Sequence, residues 1–129
     1  MRLLLDTHTL LWWVFADPKL SRPARTAIAN DDDNEIFVSA ASAWEIATKH
    51  RIGKLPDAGV VATDISGVIA AEGFRGLAIS LRHAQRAGDM AGHHRDPFDR
   101  MLIAQAMIEE LVLVSNERAF DVYGVRRLW

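Results

Sequence analysis

Acidic side chains in this sequence recur where an apolar run gives way to a polar turn or to a helix. Asp6 directly follows Arg2–Leu5, and Glu45 lies in SAASAWEIATK, behind a second apolar run. Asp96 and Asp99 lie three positions apart in HHRDPFDRMLIAQA, with a proline behind the first. Carboxylates that are packed together raise one another's pKa unless a cation neutralises them. If these acids meet in the fold, we therefore expect a metal site.

The residue types at hand favour a hard cation and phosphodiester chemistry. The chain has no cysteine, and oxygen-rich sites without thiolates select Mg²⁺ or Mn²⁺. Such ions activate water and bind phosphate oxygens in phosphodiester hydrolysis. The sequence has neither a Gly-rich phosphate loop nor a GxSxG elbow. Adjacent histidines do not share a helical face, so we interpret His93 and His94 as a solvated loop before a helix rather than a zinc site.

Three of the acids also have a purely structural interpretation. Ser42 and Glu45 have the spacing of a capping box, in which the two side chains satisfy backbone donors at a helix start. Asp96 precedes Pro97 and is a near-ideal N-cap, since proline suits the first helical position. Asp99 in the same turn gains from the helix dipole. At this point both interpretations stay open for each residue.

Asp6 is harder to explain structurally, because an acid that ends a buried strand is costly unless it is paired or binds a cation. It could instead cap a helix that starts near Thr7. A third possibility is a phosphotransferase or phosphatase with Asp6 as its nucleophile. Such enzymes usually have a second acid two residues after the nucleophile, where this chain has His8.

The elements that must position these acids alternate between strand and helix. Short apolar runs predict strands over 2–5, 35–38, 77–79 and 111–114, with a last edge strand over 125–128. Helical spacing and cap residues predict helices over 9–15, 21–30, 39–49, 58–71, 81–90, 97–110 and 116–123. This alternation favours a parallel sheet covered on both faces. Ligands of such sheets bind at the carboxyl ends of the strands, where the acids would converge.

Composition limits the classes of protein to consider. A length of 129 residues fits one domain. The net charge of -2 provides no global positive field, which disfavours an architectural DNA-binding role. Without cysteine, disulfides are excluded and the cytoplasm is the expected compartment. Asp6 and His8 interrupt the apolar start, so we expect no signal peptide. No run approaches the roughly 18 apolar residues of a membrane span, so we expect no membrane partner.

Four segments together resemble the PIN-domain ribonucleases, specifically the VapC toxins of bacterial toxin–antitoxin pairs: LLLDTHTLLWW, SAWEIATKHRIGKL, HRDPFDRMLIAQA and LVSNERAFDVYGV. The resemblance spans nearly the whole chain in the right order, and 94–106 is its most specific part. It implies that residues 1–129 form a single PIN-like domain. It also implies a three-layer α/β/α sandwich around a mostly parallel sheet of four to five strands.

The resemblance further implies a Mg²⁺- or Mn²⁺-dependent enzyme that cuts RNA with a cluster of acids. The family's metal-site acids match Asp6, Glu45 and Asp99. Asp96 resembles a further acid, which caps the helix and also touches the site. The family often has an aspartate where this chain has Glu117, beside Asn116. At the fourth ligand position, Glu117 could therefore contact the metal ion directly, contact it through water, or not contact it.

Basic and aromatic side chains suggest partner surfaces. The candidates for binding RNA phosphates are Lys49, Arg51, Lys54, Arg95 and Arg100, although a solvated surface charge is the alternative for each. Arg100 could instead pair with a neighbouring acid. The large apolar residues Trp12, Trp13, Phe15, Trp44 and Trp129 are predicted to lie mostly in the core. An excess of them on one surface would fit a homodimer interface or a groove for an antitoxin helix, the two protein partners that the resemblance implies.

The favoured hypothesis is thus a metal-dependent endoribonuclease, the toxin of a toxin–antitoxin pair, which hydrolyses RNA with a metal-activated water. The alternative is a PIN-fold module that binds RNA or protein but is catalytically weak or inactive, and the glutamate at position 117 is the feature that favours it.

Overall fold

A five-stranded parallel sheet forms the centre of the protein in a computed structural model that describes residues 1–92 and 94–129. The strands are Arg2–Leu5 (β1), Glu35–Ser39 (β2), Arg75–Leu77 (β3), Val112–Val114 (β4) and Arg127–Leu128 (β5). Their spatial order is β3-β2-β1-β4-β5, and every pair is parallel. The prediction of a mostly parallel α/β sheet is confirmed.

The first strand lies in the middle of the sheet because its apolar run is buried on both faces. Leu3, Leu4 and Leu5 are fully buried, as expected for a parallel strand covered by helices. Leu3 and Leu5 belong to one core cluster, and Leu4 belongs to a second one. Successive residues of a strand point to opposite faces, so each cluster lies on its own side of the sheet. This gives the three layers that were expected.

Within the described residues, seven α-helices cover the sheet: Thr7–Val14 (α1), Arg22–Ala29 (α2), Ala40–Arg51 (α3), Gly59–Thr63 (α4), Ile65–Ala71 (α5), Leu81–Asp89 (α6) and Pro97–Ile108 (α7). Two 3-10 helices cover Pro56–Ala58 and Arg118–Tyr123. The first core cluster includes Ile46 of α3, and the second includes Leu102 of α7. Glu45 and Asp99 are therefore carried by helices on opposite sides of the sheet.

Several predicted elements differ from the structure. The helix predicted over 116–123 is a 3-10 helix at Arg118–Tyr123, and the edge strand predicted over 125–128 is limited to Arg127–Leu128. The single helix predicted over 58–71 is divided into α4 and α5, because the side chain of Asp64 accepts a hydrogen bond from Gly67 N and caps a new helix. The strand predicted over 77–79 lies two residues earlier, at Arg75–Leu77, where it pairs with β2. Its first two residues are exposed, so this strand is not a buried apolar run.

The predicted capping box at the start of α3 is wrong. The N-cap of α3 is Ser39, whose hydroxyl accepts from Ala41 N at 2.9 Å. Ser42 lies inside the helix and accepts a hydrogen bond from the Thr7 hydroxyl at 2.9 Å. Glu45 therefore lies beyond the first turn and does not cap this helix.

No helix in the described part of the chain is long and apolar enough to span a membrane.

Candidate active site

Asp6 lies where the central strand β1 turns into α1, and it is 5% exposed. As the N-cap of α1, its Oδ1 accepts from Thr7 N at 2.7 Å, and its Oδ2 accepts from the Ser115 hydroxyl at 2.7 Å. Burial raises the pKa of Asp6, the charge of Glu45 raises it further, and the hydrogen bonds and the nearby His8 oppose this only in part. Capping and a functional role therefore coexist at this carboxyl group.

Glu45 is carried by α3 to the same place, and it is 3% exposed. The hydrogen bond between Thr7 and Ser42 joins α1 to α3 one turn before it. The Oε2 atom of Glu45 contacts Nζ of Lys49, one turn further along α3. Its Oε1 atom is fully buried and has no hydrogen-bond partner within residues 1–92 and 94–129. An unsatisfied buried carboxylate oxygen is costly, and a hard cation would satisfy it.

Asp99 lies in the first turn of α7, and its side chain is 20% exposed. Burial raises its pKa to about 6, and the negative charges of Asp6 and Asp96 contribute to that rise. The ring of His94 opposes it, since Nε2 lies 2.7 Å from Oδ2 of Asp99. Asp96 itself is the N-cap of α7, and its Oδ1 accepts from Phe98 N and Asp99 N. The predicted cap at Asp96 is thus confirmed.

The structure brings Asp6, Glu45, Asp96 and Asp99 into one electrostatic neighbourhood. The charges of Glu45 and Asp99 each interact with Asp6, and the charge of Asp96 interacts with Asp99. Among the described residues, however, no three His, Asp or Glu side chains converge closely enough to hold one metal ion between them. The acids thus line a common site without forming a closed ligand cage.

These residues nevertheless fit a divalent cation in chemical terms. Glu45 has a buried oxygen without a hydrogen-bond partner among the described residues. The charge of Glu45 contributes to the raised pKa of Asp6, and the charges of Asp6 and Asp96 contribute to the raised pKa of Asp99. A hard cation would relieve both features at once. The candidate ligands are carboxylate oxygens, which suit Mg²⁺ or Mn²⁺.

The fourth acid position is not filled by a buried carboxylate. Glu117 and Asn116 are exposed, and the charge of Glu117 acts on Arg127. The backbone N–H of Glu117 does contribute, because it donates to the Ser115 hydroxyl at 3.0 Å. Ser115 in turn donates to Asp6. This segment therefore contributes to the site through the Ser115 hydroxyl and the Glu117 backbone N–H, and not through the Glu117 carboxylate.

The predicted basic residues separate into three groups. Lys49 contacts Glu45 and lies within the site. Arg51, Lys54 and Arg95 are exposed.

Arg100 belongs to the third group, because it braces the backbone. Its guanidinium donates to the carbonyls of Ala87 at 2.9 Å, His94 at 3.1 Å and Met90. The alternative in which Arg100 pairs with an acid is not observed among the described residues, where three of its guanidinium N–H groups donate to carbonyl oxygens instead. Arg100 therefore connects the end of α6 to the segment that leads into α7.

Some contributors to the site were missed at the sequence level. Ser115 is fully buried and holds Asp6, and the only signal for it was its place directly after a strand. The interpretation of His94 as a solvated loop residue is wrong, because its half-buried ring contacts Asp99 and lies edge-on against Phe120 at 5.5 Å. His93, which shared that interpretation, lies outside the described residues.

The aromatic residues are only partly in the core. Trp12, Trp13 and Trp129 are half-buried, whereas Trp44 is 62% exposed and Phe15 is 45% exposed. The prediction of a core position is wrong for these last two. Trp44 precedes Glu45 on α3 and packs edge-on against Phe98, with ring centroids 4.9 Å apart. An aromatic pair of an exposed tryptophan and a half-buried phenylalanine thus borders the acids.

Comparison with known proteins agrees with this fold. Ribonuclease VapC16 from Mycobacterium tuberculosis is 63% identical over 30 residues, which make up 23% of this chain. The match spans only 21% of the length of that curated relative.

Two solved structures have the same fold. A chain in the crystal structure of VapBC2 from Rickettsia felis, bound to a DNA fragment from their promoter, superposes with a TM-score of 0.70 at 15% identity, over 99% of this chain and 98% of that one. A chain in a toxin-antitoxin complex from Klebsiella pneumoniae gives a TM-score of 0.56 at 18% identity, over 88% of this chain and 85% of that one. Residues 3–125 match the PIN domain family, and the chain therefore belongs to it.

Proposed function

We propose that this chain is an endoribonuclease that depends on Mg²⁺ or Mn²⁺ and hydrolyses RNA phosphodiester bonds. The observation that carries the proposal is the buried Oε1 of Glu45, which has no hydrogen-bond partner among the described residues, beside two further acids whose pKa values are raised. Membership of the PIN domain family and the short match to a protein named as a ribonuclease support the same reaction.

Asp6, Glu45 and Asp99 would hold the ion. Asp96 would contribute charge beside them. A divalent cation, when bound, lowers the pKa of a water molecule and neutralises charge on phosphate oxygens. Glu117 and Asn116 are exposed, so we assign them at most an indirect contribution through water.

Neighbouring side chains and backbone groups hold the acids in fixed orientations. Thr7 N and Ser115 hold one oxygen each of Asp6, which fixes the orientation of its carboxylate. His94 does the same for Oδ2 of Asp99. Burial of Asp6 and Glu45 excludes bulk water, and electrostatic interactions are stronger in such an environment. These contacts favour a preorganised site over one that must be assembled by its ligand.

RNA would approach along the exposed basic residues near the acids. Arg51 and Lys54 follow Glu45 on and beyond α3, and Arg95 precedes the acids of α7. Contacts of such residues with phosphates add affinity without sequence choice. Arg100 is not one of these residues, because three of its guanidinium N–H groups donate to backbone carbonyls.

The test is RNA cleavage by the purified chain with Mn²⁺ or Mg²⁺. We expect cleavage to be abolished by EDTA and by Asp6→Asn or Asp99→Asn, each of which removes a ligand charge. Asp31→Asn, at an exposed loop position, is the matched control and should retain activity. Full activity of Asp6→Asn or Asp99→Asn would refute the assignment.

The alternative function is a PIN-fold module that binds RNA or protein and has weak catalysis or none. The exposed position of Glu117, away from the buried acids, is the observation that favours it. Calorimetric titration with Mn²⁺ separates the two proposals. Absence of binding in the millimolar range would favour the module.

We further propose that the enzyme is the toxin of a toxin–antitoxin pair, acts in the cytoplasm, and forms a homodimer. Structural similarity to a chain of a toxin-antitoxin complex supports a cognate antitoxin as partner. Phe15 is exposed and lines an apolar cavity with Leu11, Leu55 and Pro56, which suits the apolar side of an antitoxin helix. Co-purification with the protein encoded beside it, and its loss in Phe15→Asp, would test this.

A further inference from the structure

Lys49 is an unusual neighbour for a cation site, because it places a positive charge among the candidate ligands. It follows Glu45 by four residues on α3, so both side chains lie on the same face of the helix. Its Nζ contacts Oε2 of Glu45, and its side chain is only 28% exposed. Lys49 is therefore a component of the site rather than a freely solvated surface charge.

The charge of Lys49 reaches beyond its own helix. The nearby carboxylates of Glu45, Asp96 and Asp99 all act on this ammonium, and its Nζ contacts Oε2 of Glu45 directly. A lysine side chain is positively charged at neutral pH, so acids of both α3 and α7 face a fixed positive charge. It interacts with three of the four carboxylates of the site.

This position limits how many divalent ions the site can accept. A single divalent ion and the ammonium together nearly balance the four carboxylates, whereas a second ion would lie close to a fixed positive charge. Oε2 of Glu45 is already engaged by Lys49, so only Oε1 of that residue is available to a metal ion. Two cations a few ångströms apart repel each other strongly in a partly buried site, and the repulsion persists, although weaker, where solvent screens it.

We propose that Lys49 is a tethered cation that takes the place of a second divalent ion beside Glu45, so that this site binds a single Mg²⁺ or Mn²⁺ ion. The inference rests on the proposed function, because it concerns the number of ions in that same site. It assigns to Lys49 a positioning role toward the metal ion that is separate from any contact with RNA.

The experiment is calorimetric titration of the metal-free protein with Mn²⁺, without RNA. Lys49→Met and Lys49→Gln remove the charge, and the glutamine can still donate a hydrogen bond to Glu45 if the methionine variant does not fold. Lys49→Arg keeps the charge. Lys19→Met is the matched control, since it removes an equal charge at an exposed position outside the site. Circular dichroism establishes that each variant is folded.

We expect the wild type to bind one Mn²⁺ ion, and the neutral Lys49 variants either to bind a second ion or to bind the first at least about tenfold more tightly. Lys49→Arg and Lys19→Met should match the wild type. Two ions in the wild type, or unchanged or weaker binding in the neutral variants, would overturn the inference alone. Absence of Mn²⁺ binding in every protein would instead reject the proposed function, and the inference with it.

Discussion

At the scale of single residues, the acids of this protein show that a capping role and a functional role are compatible. Asp6 caps α1 with one oxygen while the other is held by Ser115. Asp96 caps α7 and also contributes to the raised pKa of Asp99. The structural and functional interpretations of these aspartates were therefore not exclusive. Only at Glu45 was the structural interpretation wrong, because Ser39 caps that helix.

The first prediction concerns the pH dependence of stability of the metal-free protein. The pKa of Asp99 is raised from 3.8 to about 6 in the folded state. A raised carboxyl pKa contributes stability below the unfolded value that is lost as the pH rises through the folded value. Asp99→Asn removes this loss. We expect it to be more stable than the wild type by about 1–2 kcal/mol at pH 7.5, after allowance for solvent screening, and nearly equal at pH 4.

Urea unfolding in EDTA at both pH values measures this difference. Asp31→Asn is the control, because its exposed side chain should give no pH-dependent difference. An Asp99→Asn variant that is less stable than the wild type at pH 7.5 would show that the ionised Asp99 carboxylate does not destabilise the folded state.

At the scale of elements, the central strands were predictable and the edge was not. The runs that form β1, β2 and β4 were recognised because parallel strands buried on both faces are uninterrupted apolar sequences. The edge strand β3 begins with the exposed Arg75 and Gly76, so its apolar signal is displaced. The division between α4 and α5 depends on the cap formed by Asp64, which a periodicity argument does not detect.

The site was predictable to the extent that it follows from these elements. The carboxyl ends of adjacent parallel strands share one edge, so Asp6 and the acids of the following helices were expected near each other. The partners that hold them were not predictable. Ser115 and Asp6 are 109 positions apart in the sequence, and Thr7 and Ser42 are 35 apart. Such pairs depend on register and rotamer, which local patterns do not specify.

A second prediction concerns the brace between α6 and α7. Arg100 donates to three backbone carbonyls, among them that of His94, whose ring contacts Asp99. Arg100→Met leaves these carbonyls without their donors, and we expect a loss of about 2–3 kcal/mol in the free energy of unfolding. Arg100→Lys should lose nearly as much free energy of unfolding, since a single ammonium group cannot reach all three carbonyls as the planar guanidinium does.

Both variants should also bind Mn²⁺ more weakly, because His94 would no longer be held beside Asp99. This effect would be indirect, since Arg100 pairs with none of the acids in the described part of the chain. Urea unfolding and calorimetric titration measure the two effects. Arg95→Met, at an exposed position, is the control. Wild-type stability in Arg100→Met would contradict a bracing role.

At the scale of the whole molecule, the order of strands explains how acids from distant segments meet. Asp6 follows the central strand, Glu45 comes from a helix in one layer, and Asp99 comes from a helix in the other. The site therefore requires both layers to be packed on the sheet. On its outer surface, the molecule keeps large apolar side chains exposed: Trp44 at 62%, Ile79 at 37% and Leu81 at 90%.

The third prediction is that this apolar surface forms the proposed homodimer. Trp44 and Ile79 line one cavity, and Leu81 lies two residues further on. Exposed apolar patches commonly mark interfaces. We expect light scattering after gel filtration to give about twice the 14.4 kDa mass of one chain. Leu81→Glu should shift the mass toward one chain without destabilising α6, since an acid suits a helix's first turn.

Val60→Glu, at a position that is 73% exposed on α4, is the control and should keep the dimer. A wild type that stays at the mass of one chain, or a Leu81→Glu variant with unchanged mass, would reject this interface.

The central position of β1 has a consequence for translation. Its neighbours in the sheet are β2 and β4, and β4 covers Val112–Val114. Until the ribosome has added Val112–Val114, Leu3, Leu4 and Leu5 lack β4, one of their two flanking strands. Asp6 meanwhile lacks Ser115, the side chain that orients its Oδ2 atom. A nascent chain therefore stays without its assembled acids until Ser115 has been synthesised, which delays cleavage of any nearby messenger by the proposed ribonuclease.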